Sequence, residues 1–265
     1  MHPDIMFWLS LAAKLIVTAG VVVAASMIAE RIGALVGSLV ATLPVSTGPA
    51  YVFLSMEHDT RFIADSAFVS FATNPAILVY SSIYVVLSQR FGLWLSLLPA
   101  LTGWVVTTLV LERLVVSLGA AVLFNAILFA AALWVVRHFR TASMPQVAQR
   151  WYDVLLRAGL VAALIGTLLL LSRTLGPALA GALAVFPVVF TSMILILHPR
   201  VGGPATAAVI ANGLFGLIGF SGALLVLHLA VQSLAAPTAL TLALAICIAW
   251  NLLIFAIRKN PRSSR

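Results

Sequence analysis

The sequence predicts an all-α polytopic membrane protein of about nine transmembrane helices, two inverted four-helix repeats plus a central linker helix. Three observations predict it. Hydrophobic residues fill 63 % of the 265 positions and charged residues only 8 %, a composition foreign to soluble globular domains. The apolar stretches are long enough to cross a bilayer core, which takes about 20 helical residues, and none alternates apolar with polar as a barrel strand must. A proline-centred stretch recurs 143 residues along the chain, GALVGSLVATLPVSTGP at 33–49 and GPALAGALAVFPVVFTS at 176–192.

The elements follow in order. A first span at 7–29 opens behind MHPDIMFW, which lacks the basic start of a signal peptide, so the span is expected to be retained. Span two, 33–54, starts at Gly33 and carries Pro44 at its centre. Span three, 62–88, is unusually long and contains Asn74-Pro75; span four is 92–111. Span five, 114–136, has no charge in 23 residues and must cross. The polar stretch at about 137–151, RHFRTASMPQVAQRW, separates it from span six, 152–172. Span seven, 176–197, again starts at a glycine and carries Pro187. Span eight, 204–231, is long, and span nine is 237–257; Pro99 and Pro237 mark the starts of spans four and nine. The division is therefore 1–112, first four-helix repeat; 113–150, linker helix and cytoplasmic loop; 151–265, second repeat and basic tail.

The charge orients these spans. Fifteen Lys and Arg give a formal net charge of +8 and a pI near 10.8, but they are scattered between apolar runs and form no patch for nucleic acid. Excess basic residues in short loops mark the cytoplasmic side. Arg137, Arg140, Arg150 and Arg157 flank one loop, and Arg258, Lys259, Arg262 and Arg265 the C-terminus; four spans separate the groups, so they share a side. With that side cytoplasmic, Arg31, Arg90 and Arg200 join them, and Lys14, Arg61, Arg113 and Arg173 stay outside, 11 against 4. The expected setting is a bacterial inner membrane, with the lipid bilayer as partner, the N-terminus out and the C-terminus cytoplasmic. The single cysteine, Cys247, excludes an intramolecular disulfide.

A shift of 143 lays span one on span six and span two on span seven without a gap. Lys14 meets Arg157, Gly33 meets Gly176, Pro44 meets Pro187 and Leu54 meets Leu197, with six identities over 14–54. Four spans plus one linker span turn the second unit upside down. Inverted repeats with interrupted helices mark secondary transporters, and the paired interruptions mark the site.

Each half also resembles the GlpM family, small bacterial inner-membrane proteins with four predicted spans. In the first half the resemblance rests on AAKLIVTAGVVV, ERIGALVGSL, the central TLP, EHDTRFIADSAFVSF and LPALTGWVVTTLVL, within about 12–112. The second half, about 155–257, has HPRVGGPATAAV in place of the acidic loop. The resemblance implies four-helix halves and an inner membrane, and no substrate. It also implies that single-unit relatives could pair antiparallel, as the halves here would do covalently.

The candidate site follows from the prolines. Proline inside a helix removes a hydrogen bond and frees the carbonyl four residues back, which in hydrocarbon must find a partner. Thr42, Ser46 and Thr47 beside Pro44, and Thr191 and Ser192 beside Pro187, are local donors. With Asn74 they form the candidate substrate-binding set; the plainer alternative is two kinks healed by their own hydroxyls. Lys14 and Arg157 sit at matched depth from opposite faces and are candidate gates for an anion. The alternative is snorkelling, and Asp153, four residues before Arg157, offers it an i,i+4 pair. Asp65, one turn into span three, is a candidate coupling carboxylate, or a partner for Lys14 or Arg61. Asn125, Asn212 and the row Gly213, Gly216, Gly219, Gly222 read as packing.

No nucleophile lies beside a base, no His, Cys, Asp or Glu set has metal-ligand spacing and no glycine-rich phosphate loop occurs, so neither an enzyme nor a cofactor is expected. The expected function is alternating-access transport of a small solute, an anion if the basic gates face its path. The alternatives are an accessory or scaffold subunit of an envelope complex, and a channel-like or dimeric pore; a homodimer is compatible with each.

Overall fold

The computed structural model describes residues 3–32, 43–140 and 150–259, and every regular element among them is helical. The first half contains α1 (Pro3–Ile32), α2 (Thr47–Glu57), α3 (Thr60–Thr73), α4 (Pro75–Leu87) and α5 (Leu93–Leu114). The linker is α6 (Leu118–Val136) with a 3-10 turn at Arg137–Phe139. The second half contains α7 (Trp151–Ala184), α8 (Val188–Val201), α9 (Gly203–Ala230) and α10 (Ala236–Lys259).

Seven helical segments among the described residues are long and apolar enough to cross a membrane: Thr60–Leu87, Leu93–Leu114, Leu118–Phe139, Trp151–Ser172, Gly176–Val201, Gly203–Ala230 and Ala236–Ile257. α1 adds a shorter apolar stretch, Trp8–Ala24, and the expected second span is described only from Leu43 onward. This is the architecture of a multi-pass membrane protein. One expected boundary stands and one is corrected. Spans six and seven are separate, Trp151–Ser172 and Gly176–Val201, with a break at Gly176, whose φ of 76° and ψ of −173° suit glycine alone. Span three is not interrupted in shape, because Asn74 keeps helical angles (φ −48°, ψ −37°) and α4 continues the phase of α3. Pro75 brings no N–H there, and Ile77 N–H turns to Asn74 O at 3.0 Å.

The offset of 143 recurs in the helix boundaries. Added to Thr60–Leu87 it gives Gly203–Ala230, and added to Leu93–Leu114 it gives Ala236–Ile257. Elements related by the offset also touch: α1 packs on α7, and α3 and α4 pack on α9. The last helix of each half leans on the other half, α5 on α8 and α10 on α2. Thr60–Leu87 lies at the centre, with 72 % of its apolar stretch buried, against 17 % for Ala236–Ile257 at the rim. The rim helices expose Leu109, Leu123 and Leu252, side chains suited to hydrocarbon.

Lipid is as apolar as leucine, so close backbone approach rather than hydrophobic burial holds such helices together. A Cβ on Gly181 would lie 2.3 Å from the Ser66 carbonyl oxygen, and one on Gly219 2.5 Å from the Trp250 ring. Gly213 faces Phe190 instead. The expected single glycine seam is therefore two contacts, since residues three apart in an α-helix drift by roughly 60° per step.

Candidate functional site

The two proline breaks are built alike. Val45 N–H donates to Leu43 O at 2.7 Å, and Val188 N–H donates to Phe186 O at 2.7 Å. Each is a three-residue turn centred on proline, and the Pro187 angles (φ −75°, ψ 50°) are those of an inverse γ-turn. Each new helix then starts from its proline carbonyl, with Gly48 N–H to Pro44 O at 2.7 Å and Thr191 N–H to Pro187 O at 2.8 Å. All four pairs of atoms obey the same 143 offset.

Both breaks face one cavity of about 50 Å³. Its walls include Leu43, Pro44, Ser46 and Thr47 from the first break, and Phe186, Pro187, Val189 and Phe190 at the matching positions of the second. Ile77 of α4 and its counterpart Phe220 of α9 close it further, with Leu217 and Val185. Trp104 of α5 backs the wall by meeting Phe186 edge to face, ring centres 5.0 Å apart at 84°.

The carbonyls freed at the end of the helix before Pro187 are all accounted for. Val185 and Phe186 N–H turn back to Ala182 O and Leu183 O. The remaining two go to the other half: Ser70 Oγ donates to Gly181 O at 2.6 Å, and Thr47 Oγ1 to Ala184 O at 2.8 Å. Thr47, expected to heal its own break, thus heals the opposite one. Thr191 does not act locally either; its hydroxyl meets Tyr80 Oη at 2.9 Å. Ser192 does, donating to Val189 O at 2.7 Å. Ser46 lines the cavity, 6 % exposed, with no capping bond from its side chain. Thr42 lies outside the described residues.

Tyrosines are what the sequence reading passed over. Tyr51 Oη meets Ser70 Oγ at 2.7 Å, extending the Gly181 link, and Tyr84 Oη meets His198 Nδ1 at 2.8 Å. Three of the four tyrosines of the chain are in the first half, and Tyr80 and Tyr84 share a face of span three. That clustering in one half was the available signal.

Two asparagines take opposite roles around Pro75. Proline at 75 leaves Phe71 O without its helical donor, and Asn125 Nδ2 of α6 supplies it at 2.9 Å, while its Oδ1 accepts from Ser221 Oγ at 2.9 Å. Asn125 thus pins the linker helix to both halves. Asn212 is an interhelical tie, donating to Arg140 O at 3.2 Å. Asn74 is fully buried, and neither atom of its amide has a partner among the described residues. It lies between Ser70 and Ile77 on one helix face, and its offset counterpart Leu217 lines the cavity.

Of the two partners expected for Asp65, Arg61 is the one found, and Lys14 is paired elsewhere. Lys14 pairs with Glu57 at the end of α2, both side chains nearly buried at 12 % and 13 % exposure. Asp65 pairs weakly with Arg61, at 4.0 Å and well exposed, and does not line the cavity. Asp153 is gripped by both guanidinium nitrogens of Arg200, at 2.7 and 2.5 Å, and the charge of Arg157 acts on the same carboxylate. A partner 47 residues away supplies a two-toothed Arg–carboxylate fork, the stronger geometry, which the local i,i+4 spacing did not reveal. Glu57 and Arg200 are themselves related by the offset, so each pair joins the first helix of its half to the far end of the half-helix beyond the proline.

No family model, curated protein or solved structure matches this chain.

Proposed function

We propose that the chain is a secondary transporter of alternating-access type, made of two inverted four-helix units joined by a linker helix, in a bacterial inner membrane with its N-terminus outside. One observation carries the reading: two proline turns of the same hydrogen-bonded form, 143 residues apart, bound a single cavity. Interrupted helices paired across repeats are where transporters of this type bind solute. Four-helix halves also suit the resemblance to the GlpM family.

In this reading the two ion pairs are gates. Lys14–Glu57 clamps α1 to α2, and Asp153–Arg200 clamps α7 to α8; rocking one half against the other would open one while the other holds. Lys14 keeps its gating role with Glu57 as partner, and Arg157 becomes the reserve cation of the second gate. Nothing in the geometry supports Asp65 as a coupling group.

The hydrogen bonds of Thr47, Ser70 and Asn125 favour one rival, a scaffold subunit in which polar residues are packing glue. The double variant Pro44→Ala, Pro187→Ala separates the two. It should lower the maximal uptake rate of reconstituted protein by at least about tenfold while expression stays within about twofold, since each alanine lets its helix run on. Uptake at the wild-type rate would remove the site from the breaks.

A further inference from the structure

We infer that the cavity between the two breaks binds a singly charged anion of only a few non-hydrogen atoms. The inference deepens the transporter reading and rests on it for its physiological meaning, but binding can be measured alone.

The half-helices α2 and α8 both begin at this cavity, 11 and 14 residues long, and their first turns form its walls. Thr47, Val189 and Phe190 N–H have no backbone acceptor among the described residues. A helix N-terminus carries about half a positive charge, so two converging ends complement about one negative charge rather than two. A second observation points the same way. Ser46 is more than nine-tenths buried, lines the cavity, and its hydroxyl donates to no group among the described residues. The free hydroxyl and free N–H groups are donors, and among the described residues the lining holds no carboxylate to attract a cation and no cationic side chain to balance a dianion. The other walls are Leu, Ile, Val, Pro and Phe, so an entering ion must shed its water, which favours weakly hydrated monovalent ions. A volume of about 50 Å³ leaves room for a halide or a small planar oxyanion.

The test uses the full chain in lipid nanodiscs. Potassium chloride, formate and nitrate replace potassium gluconate at fixed ionic strength, and tryptophan fluorescence is followed, Trp104 being the ring edge to face with Phe186 of the cavity wall. A saturable response is expected with at least one of the three. Ser46→Asp should abolish it or raise the dissociation constant at least tenfold, because the new carboxylate occupies the site while serving as a good helix cap. Ser46→Ala should weaken binding roughly tenfold through the lost charge-assisted bond. No saturable response to any of the three, a response unchanged in Ser46→Asp, or a response to the alkali cation in gluconate alone would each overturn the inference. Proteoliposome uptake of the bound anion separates the two readings. Binding without uptake keeps the anion site and removes the transporter; uptake of another solute without anion binding does the reverse.

Discussion

The two halves share a skeleton and differ in what they place on it. At the prolines they agree atom for atom in hydrogen bonding. On span three they diverge: Ser70, Asn74, Tyr80 and Ser81 of the first half correspond to Gly213, Leu217, Ala223 and Leu224 of the second. The first half therefore supplies the hydroxyls that cap the second half's broken helix, and the second half returns close packing at Gly181 and Gly203, against Ser66 and Ser88. The charges diverge too. A neutral pair, Lys14–Glu57, stands where the second half has two cations, Arg157 and Arg200, sharing Asp153. In the proposed transporter, backbone symmetry would make the site reachable from two directions, and side-chain asymmetry would give each direction its own lock.

The comparison predicts an all-or-none result first. With Cys247→Ser as background, single cysteines at Arg31 and Thr174 should differ toward a membrane-impermeant thiol reagent on intact cells, position 174 labelling and 31 not. Equal labelling would end the inverted reading. The next largest effect concerns the locks. Asp153→Asn leaves two arginines facing each other and should destabilise by about 3 kcal/mol or more. Glu57→Gln should cost only about 1 kcal/mol, because Lys14 can swing toward the interface. Thermal unfolding in one detergent compares them directly. Glu57→Arg should cost more than Glu57→Gln, and adding Ser10→Asp, the counterpart of Asp153, should recover most of the loss by rebuilding the second half's arrangement in the first.

A smaller effect is expected at the linker. Asn125→Leu strands the Phe71 carbonyl and should cost about 1–2 kcal/mol. In a Pro75→Ala background the restored backbone N–H takes that carbonyl, and the same change should become nearly neutral in the same unfolding assay. Smallest in stability is Asn74→Leu, which copies the second half. Removing an unpartnered buried amide should leave stability unchanged or raise it by about 1 kcal/mol, while uptake falls. A clear loss of stability would show that the amide has a structural partner.

The membrane class, most spans and the offset were legible in the sequence because each rests on local or translational information: run length, proline chemistry and register. Pro44 and Pro187 announced breaks since no helix can keep the lost bond. Ser46 and Asn74 were legible as polar residues in apolar runs and Ser192 as a local donor, and Thr42 falls outside the described residues. The pairings of Thr47 with Ala184, Lys14 with Glu57 and Asp153 with Arg200 span 137, 43 and 47 residues. No periodicity encodes them.

By itself, then, the sequence determined that the chain is a bundle of apolar helices with two matched weak points, because hydrocarbon forces every backbone group into local bonds and proline denies one. Only the tertiary structure decided which groups repair the loss. Donors and counter-charges are chosen by which helices come within hydrogen-bonding distance, and the crossing of the two halves put the first half's hydroxyls on the second half's carbonyls.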